Sequence, residues 1–370
     1  MDTTDDLCFR IALSLIPGVG FIHARSLFTY FGNARDIFRA REKTLMKVPG
    51  IGSITAGNIR SQKVLERAKA EVEFIERHRI RPLFYQDTDY PSRLSLCEDA
   101  PLILFSRGNI DFTITKMVAI VGTRNATEYG RGFCDELIAG MAGRGDYCVV
   151  SGLAYGIDVA AHKACLKYGV PTIGVLGHGL DRIYPSLHRP VAEKMLENGG
   201  LLSDFISRTE IERQNFLRRN RIIAGLSDAV IIVESAERGG ALVTADIAGS
   251  YNRDVFAVPG RTADPYSRGC NELIRQNKAS LISNLDHLEY FMSWQAGVDQ
   301  IRTVQKQLFP DLTPDERKIV DSIRDQVLSI DDICQQVTMP AGHVSALLLG
   351  LEFNGVVASL PGKMYKLKNS

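Results

Sequence analysis

No stretch of this 370-residue sequence approaches the roughly 20 consecutive apolar residues that a membrane-spanning helix needs. The N-terminus, MDTTDDLCFR, lacks the basic-then-apolar pattern of a signal peptide, so a cytoplasmic protein without a membrane span is expected. There is no surplus of either charge: 44 Lys and Arg face 43 Asp and Glu, a net charge of +1. Any site for a polyanion must therefore be a local concentration of cations. No Cys-x-x-Cys pair occurs. Cys8, Cys97, Cys134, Cys148, Cys165, Cys270 and Cys334 are scattered, several inside apolar runs, which reads as reduced thiols and excludes a zinc site. Gly-x-Ser-x-Gly, His-Glu-x-x-His and a P-loop are all missing. So is the Gly-x-Gly-x-x-Gly spacing of dinucleotide sites, and no cofactor or metal is expected.

What is present begins at residues 117–130, MVAIVGTRNATEYG. An apolar run enters the turn Gly122-Thr123-Arg124, and a helix is expected a few residues later. Strand, tight turn and helix N-terminus together build anion sites in open α/β sheets. The pattern continues with apolar runs at 147–150, 172–176, 201–203, 229–233, 255–258 and 280–282. They alternate with helix-length segments at 129–142, 158–168, 190–198, 242–251 and 270–276. Short strands that are apolar throughout, separated by helices, predict a doubly wound, Rossmann-like parallel sheet. Further glycine turns follow the strands: Ser151-Gly152, Gly177-His178-Gly179 and Arg238-Gly239-Gly240. Several such turns on one sheet edge predict a phosphate-binding face.

The flanks differ. Residues 1–79 read as helical, with an internal echo: Pro17-Gly18-Val19-Gly20 and Pro49-Gly50-Ile51-Gly52 each precede a helix. Apolar-Pro-Gly-apolar-Gly resembles the helix-hairpin-helix motif, whose turn can offer N–H groups to phosphate. The charged helix from about 61 to 79 is expected as a connector. Residues 80–293 form the Rossmann-like domain with an N-terminal extension, 294–310 a linker, and 311–370 a winged-helix-like unit of three helices and two short strands around Pro361-Gly362-Lys363. Eight acids against six bases in 311–370 argue against duplex DNA as its partner and favour a protein-contact or autoregulatory role.

The densest cationic stretch is 212–227, ERQNFLRRNRIIAGLS. Arg213, Arg218, Arg219 and Arg221 surround Phe216 and Asn220, ahead of a buried helical continuation. Cations with an interleaved ring suit single-stranded nucleic acid, whose backbone follows the charges while a base stacks on the ring. His162 and His188 fall where surface or capping roles are expected over acid–base chemistry.

The segments VAIVGTRNATEYG, SGLAYGIDVAAHKACL, GVLGHGLDRIYPSLH, FLRRNRIIAGLSDAVIIVESAERGGALVTADIA and VFAVPGRTADPYSRGCNELI resemble, in order, the DNA-processing protein A (DprA, or Smf) family. The resemblance implies a non-enzymatic, homodimeric protein that binds single-stranded DNA and loads the RecA recombinase onto it in natural transformation. Carried over residue by residue, it implies Arg124 as phosphate ligand within Gly122-Thr123-Arg124. It also implies Phe216 as the stacking ring, Arg213 ahead of it, and Arg219-Asn220-Arg221 with Gly239-Gly240 completing the pocket. Arg218, Ser151, Gly152 and Tyr155 join the candidate DNA-binding set. Leu217, Tyr155 and Ser186 depart from the family's frequent proline, cation and lysine, and Tyr155 offers a ring in place of a charge. Two alternatives stay open: a nucleotide-cleaving phosphoribohydrolase, echoed by Arg238-Gly239-Gly240, and a duplex-binding regulator acting through the winged helix.

Overall fold

The computed structural model describes residues 3–144, 146–294, 312–324, 326–354, 356–360 and 364–367. The nine strands of the main sheet are β1 (Arg81–Phe84), β2 (Ile103–Asn109), β3 (Lys116–Val121), β4 (Tyr147–Ser151), β5 (Thr172–Val175), β6 (Gly199–Ser203), β7 (Ala229–Ile232), β8 (Asp254–Ala257) and β9 (Ser280–Leu281). They pair in the order β1-β2-β6-β5-β4-β3-β7-β8-β9. From β6 to β9 in that order all neighbours are parallel, while β2 joins β6 and β1 joins β2 antiparallel. The chain builds outward from β3 through β4, β5 and β6, then returns to place β7 on the other flank of β3. That reversal leaves a crevice beyond the C-terminal ends of β3 and β7, where ligands of such sheets bind.

The central strands are buried on both faces, as their unbroken apolar runs predict. Met117, Ala119 and Val121 point to one face and pack with Ile222, Ile223, Ala245 and Ala248. Val118 and Ile120 point to the other and pack with Phe133, Leu137, Ala161 and Cys165. This alternation is the two-residue period of a strand. All seven cysteines are free thiols, and all but Cys334 are buried. Among the described residues no helix is long and apolar enough to cross a membrane.

The segment expected as a connector does something different. Helix Leu65–His78 buries Ala68, Val72, Ile75 and also Glu71. The Glu71 carboxylate accepts from the Ser207 N–H at 2.9 Å, the Ser207 hydroxyl at 2.5 Å and Arg67 at 2.8 Å. Arg67 in turn donates to the Ser207 carbonyl at 2.5 Å. A buried carboxylate holds only when its lone pairs are met this way, and here Arg67 is one helical turn away while Ser207 is remote in sequence. Ile11, Leu27 and Phe38 of the helical segment share one apolar cluster with Phe84, Phe105, Leu176 and Met195 of the sheet region. Residues Met1–Trp294 accordingly form one compact unit and Gln295–Ser370 a second. The two echoed turns meet within the first unit, Gly18 lying against Thr55 and Gly50 against His23.

His162, on helix Ile157–Tyr168, is fully buried. Its Nδ1 lies 2.8 Å from the Thr172 hydroxyl, which itself donates to the Val149 carbonyl at 3.0 Å. With that hydroxyl proton committed, Nδ1–H is the donor to Thr172 and Nε2 is bare and without a partner. Burial pulls the imidazole down from 6.5 to about 3, with Arg219 and the neighbouring His188 adding to the effect. The folded state therefore takes up this proton later than the unfolded chain. The contribution is present in full above pH 6.5 and is lost as pH falls toward 3. Denaturation measured against pH should show about 2 kcal/mol lost from this group between pH 6.5 and about 5. His162→Asn should flatten that limb; an unchanged slope would assign it elsewhere.

The second unit contains helices Pro314–Ser322, Ile330–Val337 and Ala341–Phe353. Strands β10 (Leu328–Ser329), β11 (Val357–Leu360) and β12 (Met364–Leu367) form an antiparallel sheet in the order β10-β12-β11. Ile319, Ile333, Val344, Leu348 and Leu351 make its core. This is a winged-helix arrangement, with one more strand than the sequence reading expected. The expected linker beyond Trp294 and the turn at 361–363 lie outside the described residues.

Candidate functional site

Three strand-end turns interlock at the crevice. After β3, the Thr123 N–H donates to the Glu234 carbonyl at 2.7 Å, and the Ile157 N–H donates to the Thr123 carbonyl at 3.2 Å. Gly156 stands between them at φ +81°, where a Cβ would lie 2.1 Å from the Thr123 carbonyl oxygen. The turns after β3, β4 and β7 are thus locked backbone to backbone, and side chains on any of them are held at fixed separations.

The expectation that the helix after β3 offers open N–H groups needs correction. The N-terminus of helix Glu128–Met141 is filled by the chain itself. Glu234, 3% exposed, accepts from the Thr127 N–H at 2.9 Å and from the Thr127 hydroxyl at 2.5 Å, while that hydroxyl caps the Gly130 N–H. A carboxylate sits where a nucleotide phosphate would meet such a helix. The open end is that of helix Gly240–Ser250, whose N-cap Gly239 brings no side-chain bond and whose first residues line the cleft.

That cleft encloses about 480 Å³. Of the expected site residues it gathers Gly122, Thr123, Arg124, Arg213, Phe216, Arg219, Asn220, Gly239 and Gly240. Its charged lining is Arg124, Arg213, Arg219 and Arg238 against Asp158. A chain of net charge +1 therefore carries a strongly positive hollow. Arg124 is exposed and its guanidinium lies 6.0 Å from the centre of the half-buried Phe216 ring. Asn220 donates to the Gly240 carbonyl at 3.4 Å and steadies the open helix end.

Arg219 forms the floor. It is 4% exposed, donates through Nη1 to the Val175 carbonyl and leaves Nε without a partner. Gly152 makes the room, since a Cβ there would sit 2.2 Å from Arg219 Nη1 and 2.5 Å from Asp158 Oδ2. Burial lowers the Arg219 guanidinium to about 10, against the opposing pull of Asp158, so it stays charged at neutral pH. Burial likewise raises the Asp158 carboxyl, with Arg219 pulling the other way.

Five expected residues stand elsewhere. Arg218 and Arg221 occupy the other face of helix Arg213–Leu226, where both pair with Asp204, at 3.6 and 2.7 Å. A helix turns 100° per residue, so positions 216, 219 and 220 can face the cleft only if 218 and 221 turn from it. Ser151 is buried, its hydroxyl donating to the Ile120 carbonyl at 2.6 Å. Gly152 acts from behind Arg219. Tyr155 stacks edge-on against His188 at 5.0 Å, outside the cleft lining. His162 and His188 are buried and not surface groups; His188 stands at the N-cap of helix Arg189–Met195, but its ring makes no cap bond and lies 2.8 Å from the Leu153 carbonyl instead. Sequence reasoning missed Asn125 and Tyr266, and named Arg238 only as part of a glycine turn. Asn125 donates to the Tyr266 hydroxyl at 3.1 Å across the cleft wall; Asn125 directly follows Gly122-Thr123-Arg124, whereas Tyr266 adjoins none of the named glycine turns.

The DNA recombination-mediator protein A family matches residues 81–293, and the DprA winged helix domain matches 305–363. Protein Smf of Synechocystis is 32% identical over 97% of this chain and 98% of its own length. The DNA processing protein DprA of Streptococcus pneumoniae is 39% identical over 55% of this chain and 72% of its own. The X-ray structure of that pneumococcal protein superposes with a TM-score of 0.63 at 29% identity, covering 78% of this chain and 98% of its own. A Helicobacter pylori DNA processing protein A structure, described for its single-stranded DNA binding mode, superposes with a TM-score of 0.51 at 28% identity over 58% of this chain and 95% of its own.

Proposed function

The chain belongs to the DNA recombination-mediator protein A (DprA/Smf) family, and from that premise we propose that it binds single-stranded DNA in the cleft beyond β3 and β7. The observation that carries this reading is the setting of Phe216. A half-buried ring stands among Arg124, Arg213, Arg219 and Arg238 on one cleft wall. Phosphates meet Arg124 and the open end of helix Gly240–Ser250, and a base stacks on Phe216. Duplex DNA hides its base faces, so a ring flanked by cations favours a single strand. Arg219 keeps the floor positive without an exposed side chain of its own.

The protein acts by binding and not by bond cleavage. A glycosidic hydrolase would need a carboxylate facing its substrate. Asp158, the one acid lining the cleft among the described residues, is buried beneath it, and Glu234 is committed to Thr127. In this reading the protein is a cytoplasmic homodimer that delivers bound DNA to RecA in natural transformation.

Phe216→Ala is expected to weaken binding of a short oligothymidylate by about 1–3 kcal/mol, the range for losing one base-stacking ring. Phe216→Trp should restore most of it. Fluorescence anisotropy titration measures both, and undiminished affinity in the alanine variant would remove Phe216 from the site. Adding RecA to strands covered by single-strand-binding protein, with and without this protein, tests delivery.

A further inference from the structure

We propose that Tyr184 is a second base-stacking platform, so that a strand leaving the cleft over Phe216 continues onto the loop 181–188. The proposal rests on the cleft being the single-stranded DNA site. Tyr184 lies outside the cleft lining and was not among the residues marked by sequence. The residue is 46% exposed. Its neighbour Ile183 packs on the apolar core, whereas Tyr184 belongs to no core cluster among the described residues.

The Tyr184 ring centre stands 5.9 Å from that of Phe216, with a 40° tilt between the planes. Phe216 is itself fixed: a Cβ on Gly177 would lie 2.9 Å from its Cδ1 and 3.2 Å from its Cα. Gly177 lies two residues beyond the end of β5 and leads into the loop that carries Tyr184, so both rings are referred to the same strand end. Two half-open rings side by side form a platform on which successive bases of an extended strand can rest, whatever their identity.

The loop adds little charge to this. Arg182 is paired with Asp181, its Nε donating at 2.9 Å. Contact here is therefore by ring surface, while the cations, Arg124 among them, line the cleft side. Stacking releases no counterions, so the Tyr184 contribution is distinguishable from a phosphate contact by its indifference to salt.

The test titrates the full-length protein with oligothymidylates of increasing length at several salt concentrations, by fluorescence anisotropy. Tyr184→Ala should bind the shortest oligomers like the wild type and lose about tenfold on those long enough to reach the loop. The slope of log affinity against log salt should not change, and Tyr184→Phe should match the wild type. Should Tyr184→Ala melt early, Tyr184→Leu keeps the apolar bulk without the π face and carries the same comparison. Full affinity of the alanine or leucine variant at every length, with Phe216→Ala weakened, overturns the second platform and leaves the cleft standing. Full affinity in Phe216→Ala and Arg124→Glu as well removes the cleft assignment and this inference with it.

Discussion

Arg124→Glu is expected to lower affinity for single-stranded DNA by about 3 kcal/mol, on the order of a hundredfold, without unfolding the protein. The side chain is exposed and forms no ion pair among the described residues. Its charge is therefore not spent on internal partners, unlike that of Arg221 against Asp204. A charged hydrogen bond to phosphate is lost, and the carboxylate that replaces it faces the incoming anion. The variant should also flatten the dependence of affinity on salt by roughly one phosphate contact. Wild-type affinity in Arg124→Glu, with an unchanged salt slope, would place the DNA elsewhere on the molecule.

The second large effect is on stability. Gly156→Ala should destabilise the fold by about 3 kcal/mol, the sum of a strained backbone and a clash that cannot be relieved by a side chain. The φ of +81° already disfavours alanine there. The atom in the way is the Thr123 backbone carbonyl, with the Arg124 carbonyl 2.6 Å from the same point. Relief requires the turn carrying Arg124 to move, so DNA affinity should fall together with the melting temperature. Gly132→Ala is the control, because a Cβ there meets nothing within 4 Å and the residue lies inside a helix. Equal melting temperatures for Gly156→Ala and the wild type would show the interlocked turns to be looser than the geometry implies.

The central strands were legible because burial on both faces leaves no room for polar residues, so each reads as an unbroken apolar run. β1 was not. Arg81-Pro82-Leu83-Phe84 is short, begins with a charge and contains proline, features an edge strand tolerates and a sequence pattern discounts. Helix Leu65–His78 was misjudged for the opposite reason. Its charges suggested a solvated rod, and the Arg67–Glu71 pair fits that reading, but Glu71 also finds Ser207, 136 residues away, and that remote contact leaves no local mark. The cationic helix is legible as a whole, and its sequence groups Arg218 and Arg221 with Phe216, Arg219 and Asn220, although the structure turns the first two toward Asp204. Which face of the helix meets the crevice was not in its period.

The sequence by itself determined the doubly wound sheet, the winged-helix unit, the family, and the pairing of arginines with a ring in residues 213–221. These follow from local chemistry: apolar runs, glycine turns and helical phase are written along the chain. Only the tertiary structure decided that Glu234 closes the helix end after β3, that Gly239-Gly240 provides the open one, and that Arg219 lies beneath the cleft while Arg124 lies in it. The first and third depend on partners more than forty residues distant, Thr127 with Glu234 and Arg219 with Val175, and the open end on Asn220, twenty residues away. Contacts of that kind are fixed by how the strand ends converge, which no window of sequence records.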